Sequence, residues 1–291
     1  MGVNLKSSGV RKLALIIGNV LVILRPKRAA QLSERRMTLV HKNKNYLSMQ
    51  ERLMRYALVQ KLEKIQDHKT IAKENRKFWE NNSAVQLFTE TEDKFESDFL
   101  PHCTFIFEKL KKELSKQSEH YNTIVEIGTG NGDVLNYLSE EFPQVDRIIG
   151  IDLSQHQTDL NNQKFKSNPK LEFVAADAYD WVLEHGESNT IFVSSRGVLE
   201  YFLEERLLDL LTKIHQLGNI FFVAIEPNGA DHDFKTQPNT QLYGFEPSFS
   251  HNYPRLFKKA GFTLWHFSQK PWHNGGNIQT FIGAKNSSTL N

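Results

Sequence analysis

The sequence contains one cysteine, Cys103, among 291 residues. A single thiol cannot form an intrachain disulfide or assemble a thiolate metal cluster, so both are excluded within this sequence. Such sparse cysteine usage is typical of a reducing compartment and predicts a cytoplasmic location. We interpret Cys103 as a small, buried apolar residue rather than as a reactive thiol.

A long hydrophobic run is also missing. The apolar segment 13–24 has twelve residues, whereas a membrane-spanning helix needs about 20. No small-residue cleavage site follows it, which disfavours a secretory signal. Basic residues lie on both sides of it: Arg11, Lys12, Arg25, Lys27 and Arg28. The segment can therefore lie at an anionic membrane surface, pack on the body of the protein, or act as a targeting peptide.

Charge is unevenly distributed along the chain. Residues 1–65 contain fourteen Lys and Arg and three acids, a net +11, which leaves −9 for the rest because the total is +2. This asymmetry predicts a basic arm that meets an anionic surface, with peripheral membrane contact through residues 1–45. We predict a basic extension over 1–65, a helical cap region over 66–118 and a core domain over 119–291.

The hydrophobic pattern changes after Tyr121. Before it, three- and four-residue spacing predicts helices at 49–65, 78–88 and 99–114. After it, the predicted strands are 123–127, 147–151, 171–175, 190–194, 220–225, 263–267 and 279–283. Between them, helices are predicted at 133–141, 156–166, 204–215 and 253–260. The alternation predicts an α/β, Rossmann-like doubly wound sheet, mostly parallel with an antiparallel terminal strand and an N-terminal helical extension. The last two strands are expected to pair through a Gly275-Gly276 turn.

A glycine-rich turn follows the first predicted strand. Glu126 precedes Gly128, Thr129, Gly130 and Gly132, and glycines at every second position allow a sharp bend that a ligand can approach closely. The turn alone is weak evidence, because dinucleotide sites and ordinary turns also use glycine. A carboxylate beside the glycines would repel a diphosphate and suit a cationic ligand.

Two further acids end the next strands. Asp152, followed by Leu153, lies about twenty residues past the turn, where a carboxylate can bind the two hydroxyls of a ribose. Asp177, followed by Ala178, ends the third strand and could bind an adenine amino group. Either acid could instead be a simple turn former.

These motifs resemble the class I S-adenosylmethionine-dependent methyltransferase superfamily. The resemblance covers about residues 121–284 and rests on four segments in the family's order: 125–132, 150–153, 177–178 and 197–201. It implies S-adenosylmethionine as cofactor. Glu126 and the glycine loop would hold the methionine end, Asp152 the ribose, and Asp177 with Ala178 the adenine. Ser195 would approach the amino-acid moiety or the sulfonium.

Candidate catalytic residues lie beyond the fourth and fifth strands. Glu226 ends the fifth strand, and His251 precedes a predicted helix, so either could remove a proton from a hydroxyl acceptor. Both also have structural alternatives, as a loop hydrogen-bonding group and a packing residue. Arg196 could pair with Glu200 or Glu226, or hold an anionic acceptor.

The sequence lacks two motifs that would identify other acceptors. Ser194-Ser195-Arg196-Gly197 stands where nucleic-acid amino methyltransferases have an Asn/Asp-Pro-Pro-aromatic tetrad, so we do not expect a nucleic-acid partner. No His, Asp and Glu cluster has metal-site spacing, so no metal is predicted. We predict methyl transfer to a small-molecule, sugar or lipid-linked acceptor, at oxygen. The alternatives are N-methylation of an amine or protein, and a non-catalytic methyltransferase-like membrane adaptor.

Overall fold

The computed structural model describes residues 8–34, 48–65, 67–80, 94–243, 248–272 and 277–286. Their contacts divide the chain into a helical unit, Met1–Phe78 with Leu242–Ser248, and a sheet unit, Trp79–Gln241 with Phe249–Asn291. The predicted 78–88 helix extends past residue 80, and the Gly275-Gly276 turn also lies outside the described residues.

A seven-stranded sheet forms the centre of the sheet unit. Its strands are β1 Thr123–Ile127, β2 Arg147–Asp152, β3 Leu171–Ala175, β4 Thr190–Ser195, β5 Phe221–Gly229, β8 Thr263–Trp272 and β9 Asn277–Lys285. They lie in the order β3-β2-β1-β4-β5-β9-β8. β9 runs antiparallel to β5 and β8, and the pairs among β1 to β5 are parallel. Two short strands, β6 Gln241–Tyr243 and β7 Ser248–Ser250, pair separately.

Helices precede the first strand and alternate with the parallel strands along the chain. The described helices before β1 are α1 Ser8–Leu24, α2 Pro26–Glu34, α3 Met49–Lys64, α4 His68–Glu80, α5 Leu100–Cys103 and α6 Phe105–Leu114, with a π-helical turn at Phe95–Phe99. Those after it are α7 Asp133–Glu141, α8 Gln155–Lys164, α9 Ala178–His185, α10 Glu204–Gln216 and α11 Tyr253–Lys259, with a 3-10 turn at Leu199–Tyr201. N-cap side chains stabilise the first turns of two of these helices. Ser154 accepts from the amide of Gln157, and Asn252 accepts from that of Arg255.

Two hydrophobic clusters lie on opposite faces of the sheet because successive side chains of a strand alternate. Ile124 belongs to the cluster with α6 and α7, while Val125 belongs to the cluster with α10 and α11. All five residues of β1 are buried. The central strands are therefore covered on both faces, as parallel strands require, and a ligand can approach them at their ends.

The helical unit has a small core of its own. Ala29, Leu32 and Met54 are buried together, with α1 and α2 packed on α3. Ser48 and Glu51 form a capping box that begins α3, since each side chain bonds to the backbone of the other residue. Gly18 of α1 lies against α3 so closely that an added Cβ would come within 2.2 Å of the Leu53 carbonyl oxygen.

The predicted fold class is confirmed, including the antiparallel terminal strand. The bounds of β1, β3 and α7 are as predicted, and β5, β8 and β9 are longer than predicted. The pattern gave no bounds for α2, α4, α9, β6 and β7, and the last two have three residues each. The domain boundaries at 65 and 118 stay predictions.

Candidate functional site

The glycine loop follows β1. In the sheet β1 has β2 on one side and β4 on the other, so the loop lies where the strand order reverses. Gly128, Gly130 and Gly132 have φ values of +71°, +53° and +78°. Such left-handed conformations are costly for residues with a Cβ. The amides of Gly128 and Thr129 donate to the Ile151 carbonyl at 2.8 and 3.0 Å. This sharp bend holds the loop against the end of β2.

Glu126 joins the loop to β4. Its carboxylate is buried and accepts hydrogen bonds from the hydroxyls of Thr129 and Ser195, both at 2.8 Å. Burial raises the pKa of Glu126 to about 7, and the two hydroxyls and Arg196 oppose that shift. The structure thus brings together three residues that the sequence analysis assigned to the methionine end.

Asp152 joins the same loop to β2. It accepts from the amides of Gly130 and Ser154, each at 3.0 Å. Burial raises the pKa of Asp152 to about 6, and these amides lower it. The charge of Asp152 in turn raises the pKa of Glu126, so the two carboxylates lie near enough to interact. Leu153, the next residue, is half-buried.

A buried asparagine that the sequence analysis missed also supports the loop. Asn161 of α8 donates to the Gly130 carbonyl at 2.7 Å and accepts from Gln157 at 2.8 Å. Both side chains are buried. Helix α8 is polar on all sides in sequence. Helix periodicity therefore does not distinguish its buried polar residues from its surface ones.

Asp177 begins α9. Its carboxylate accepts from the Tyr179 amide at 2.9 Å and pairs with Arg206 of α10 at 2.8 Å. The preceding residue is tied to β2, since the Ala176 amide donates to the Asp152 carbonyl at 2.9 Å. Ala178 is buried in the core cluster. The adenine-binding role of this pair stays a prediction, and capping accounts for part of what Asp177 does.

The predicted catalytic residues are both fully buried. Glu226 accepts from Ser194 at 2.6 Å and from the amides of Val198 and Leu199 at 2.9 and 3.0 Å. Burial raises its pKa to about 8. These contacts hold the segment after β4, and Val198 lies so close to Gly128 that an added Cβ would come within 2.5 Å of it.

His251 uses both ring nitrogens inside the fold. Nδ1 lies 2.7 Å from the Thr240 hydroxyl, and Nε2 lies 3.1 Å from the Phe202 carbonyl oxygen. Since a carbonyl only accepts, Nε2 carries the hydrogen and Nδ1 accepts. Burial lowers the pKa of His251 to about 4, so the ring is neutral. The general-base role of Glu226 and His251 stays a prediction that this geometry does not favour.

A polar network beside His251 was not anticipated. Thr280 donates to Asn228 at 2.5 Å, Asn228 donates to Ser250 at 3.2 Å, and Ser250 lies 2.8 Å from Nδ1 of His232. These four side chains are buried. The network fixes the loop after β5 against β7 and β9, and only the tertiary fold brings its members together.

Arg196 follows Ser195 with a left-handed φ of +62°. The residue as a whole is solvent-exposed, but desolvation by the surrounding protein lowers the pKa of its guanidinium. Asp133 and Glu126, rather than the expected partners Glu200 or Glu226, oppose this shift most strongly. A cation therefore follows β4 and interacts electrostatically with the buried carboxylate of Glu126.

A family model and several solved structures resemble parts of this chain. Residues 124–218 match a family model described as a methyltransferase domain. No curated protein matches the chain. Similar solved structures include magnesium protoporphyrin IX methyltransferase from Synechocystis with bound S-adenosylmethionine, at 11% identity and a TM-score of 0.45, covering 64% of this chain and 80% of that one. Another is a putative S-adenosylmethionine-dependent methyltransferase from Listeria monocytogenes. It has 16% identity and a TM-score of 0.45, and the match covers 61% of this chain and 97% of that one. Both likenesses are distant.

The matched residues, the sheet order and the loop define a methyltransferase domain. Residues 124–218 match a methyltransferase domain, in agreement with the resemblance to the class I S-adenosylmethionine-dependent methyltransferases and with S-adenosylmethionine as the cofactor. The residues fit a sulfonium ligand, because the carboxylates of Glu126 and Asp152 lie at the glycine bend. Their negative charge attracts a cation and repels a diphosphate.

Proposed function

We propose that the chain methylates a carboxylate oxygen of a small-molecule, sugar or lipid-linked acceptor. The observation that carries this proposal is Arg196, a solvent-exposed residue after β4 whose guanidinium interacts electrostatically with Asp133 and Glu126. A guanidinium attracts carboxylate and phosphate oxygens and repels a protonated amine.

The burial of the two predicted bases supports the same acceptor class. A hydroxyl acceptor must lose a proton during transfer, whereas a carboxylate is already ionised at neutral pH and needs no general base. Glu226 and His251 are fully buried and hydrogen-bonded within the fold. An acceptor that is anionic before it binds therefore fits these residues better than a neutral alcohol.

The bound cofactor supplies a methyl group activated by positive sulfur. The protein's part is to align the acceptor oxygen and to exclude water. Glu126, the glycine loop and Asp152 would hold the cofactor, and Arg196 would orient the acceptor. We place this activity in the cytoplasm, at a membrane surface where the acceptor is lipid-linked.

Transfer of a labelled methyl group from S-adenosylmethionine to fractionated cell extracts tests the proposal. A methyl ester releases volatile methanol in mild alkali, whereas an N-methyl group or a methyl ether does not. We expect alkali-labile label. Alkali-stable label on an amine would instead support the alternative N-methyltransferase.

Variants of two exposed arginines sharpen this experiment. Arg196→Gln should lower transfer about tenfold or more, since a charge-assisted hydrogen bond contributes roughly 1.5–3 kcal/mol. Cofactor affinity should stay within about twofold, as measured by calorimetry. Arg147→Gln, at the opposite end of the strands, is the matched control. Equal transfer by Arg196→Gln and Arg147→Gln would contradict the role of Arg196.

A further inference from the structure

Helix α1 of the helical unit exposes an apolar stripe. Seven large apolar side chains on it are 40–77% exposed: Val10, Leu13, Ile16, Ile17, Val20, Ile23 and Leu24. At about 100° per residue they cover about 140° of the helix circumference, and the helix is about 25 Å long. Isolated exposed apolar residues are ordinary, but a continuous stripe of this size marks an interaction surface.

The opposite side of α1 is already packed. Ala14 is buried, and Gly18 lies against Leu53 and Ala57 of α3. Leu21 and Val22 pack on the core of this unit. The stripe is thus the outward side of a helix that has a fixed position on α3.

All charged residues of α1 and of the first seven residues of α2 are basic. Residues 8–32 contain five basic residues and no acid: Arg11, Lys12, Arg25, Lys27 and Arg28. Arg28 bonds to Glu51 of α3 at 2.7 Å, whereas Lys12, Arg25 and Lys27 are exposed. Basic residues at both ends of an apolar stripe complement anionic lipid headgroups above an apolar acyl region.

We infer that the α1 stripe docks the protein on the surface of an anionic lipid bilayer. The helix lies in the plane of the interface, with the stripe in the acyl boundary and the basic residues at headgroup level. Among the described residues, no helix has both the length and the apolarity to cross a membrane. The inference rests on the stripe and its charges and would bring a lipid-linked acceptor of the proposed function near the enzyme.

Vesicle flotation of the full-length chain tests this inference. The probes are vesicles of phosphatidylcholine alone and of phosphatidylcholine with phosphatidylserine. We expect the chain to float with the anionic vesicles and to bind them less at high salt, since the basic residues contribute through screened electrostatics. Absence of flotation with either vesicle overturns the inference.

Two single variants separate insertion of the stripe from simple charge attraction. Ile16→Asp places a carboxylate within the stripe, whereas Asn19→Asp adds the same charge at an exposed position outside it. Ile16→Asp should reduce binding about tenfold more than Asn19→Asp does, because only Ile16 enters the apolar region. Circular dichroism checks that both variants fold. Equal losses would overturn the docking role of the stripe.

A second copy of the chain is the competing occupant. Analytical ultracentrifugation without lipid detects it: a dimer that Ile16→Asp dissociates, with flotation unchanged, overturns the bilayer inference. Cofactor affinity is measured on the same samples. Failure of flotation with intact cofactor binding contradicts the docking surface alone, whereas lost cofactor binding in a folded chain contradicts the proposed function.

Discussion

Two buried glutamates on the strands that flank β4 have different partners. Glu126 of β1 accepts from Ser195 and Thr129, whereas Glu226 of β5 accepts from Ser194 and two backbone amides. Successive serines of β4 thus serve acids on opposite sides of the sheet, because strand side chains alternate. Glu126 lies at the glycine loop and Glu226 lies under the segment after β4. An acid near the end of a strand can therefore hydrogen-bond to the glycine loop at the proposed cofactor site, as Glu126 does. It can also hold a neighbouring backbone segment in place, as Glu226 does.

Among the substitutions near the glycine loop, that of Asp152 should reduce cofactor affinity the most. Asp152→Ala should weaken S-adenosylmethionine binding about 100-fold, since each charge-assisted hydrogen bond to the ribose contributes roughly 1.5–3 kcal/mol. Calorimetry measures the affinity. Asp146→Ala, an exposed acid just before the same strand, is the control and should bind normally. Unchanged affinity in Asp152→Ala would remove it from the site.

Substitutions of Glu226 test its role as a support. Glu226→Ala leaves one hydroxyl and two amides without their acceptor, so it should lower the free energy of unfolding by about 3 kcal/mol. Glu226→Gln keeps an acceptor for the amides, and its amide can donate to Ser194, so it should fold normally. Urea unfolding measures both.

The same pair of variants distinguishes support from catalysis. If Glu226 only positions the 198–199 segment, Glu226→Gln should retain transfer within a few fold. A general base replaced by an amide loses about 100-fold or more. A loss of that size with unchanged stability and cofactor affinity would restore the catalytic prediction for Glu226.

Two glycines separate backbone strain from close packing. Gly128 has φ +71° with Val198 2.5 Å from an added Cβ, whereas Gly218 has φ +80° with nothing near. Both alanine variants should lose about 1 kcal/mol from the left-handed backbone, and Gly128→Ala should lose roughly 1–3 kcal/mol more from overpacking. Thermal and urea unfolding compare them. Equal losses would mean that Val198 moves away freely.

The pH dependence of stability gives the smallest effect. Burial raises the pKa of Glu226 from 4.5 to about 8, so the folded state keeps a proton that the unfolded state has lost. Stability should therefore fall as pH rises from about 6.5 to 8, by at most about 1.4 kcal/mol per pH unit for this group. His251 contributes no slope there, because its pKa is lowered to about 4 and it is neutral in both states above its ordinary value.

Urea unfolding across this pH range checks the effect. Glu226→Gln should make the curve flatter, and the remaining slope should come mainly from Glu126, whose pKa of about 7 lies in the same window. An unchanged slope in Glu226→Gln would show that Glu226 is ionised in the folded protein.

Much of the sheet unit follows from local pattern. The pattern of short apolar segments bounded by turns predicted the bounds of β1 and β3 correctly. The glycines predicted the bend at 128–132, where three φ values are positive. Helix α9 was missed, since it is short and begins at Asp177, which was interpreted only as a ligand or turn former. The Thr280, Asn228, Ser250 and His232 network carries no sequence signal.

By itself the sequence determined the alternation of strands and helices, the sharp loop, the basic front and the family, because each is encoded in residues close together in the chain. Tertiary structure decided which serine meets which glutamate: Ser194 and Glu226 are 32 residues apart, and Ser195 and Glu126 are 69 apart. It also decided that His251 is buried and that Arg196 is exposed. Burial, pKa and hydrogen bonding of a side chain depend on what distant segments pack around it, and local pattern does not contain that information.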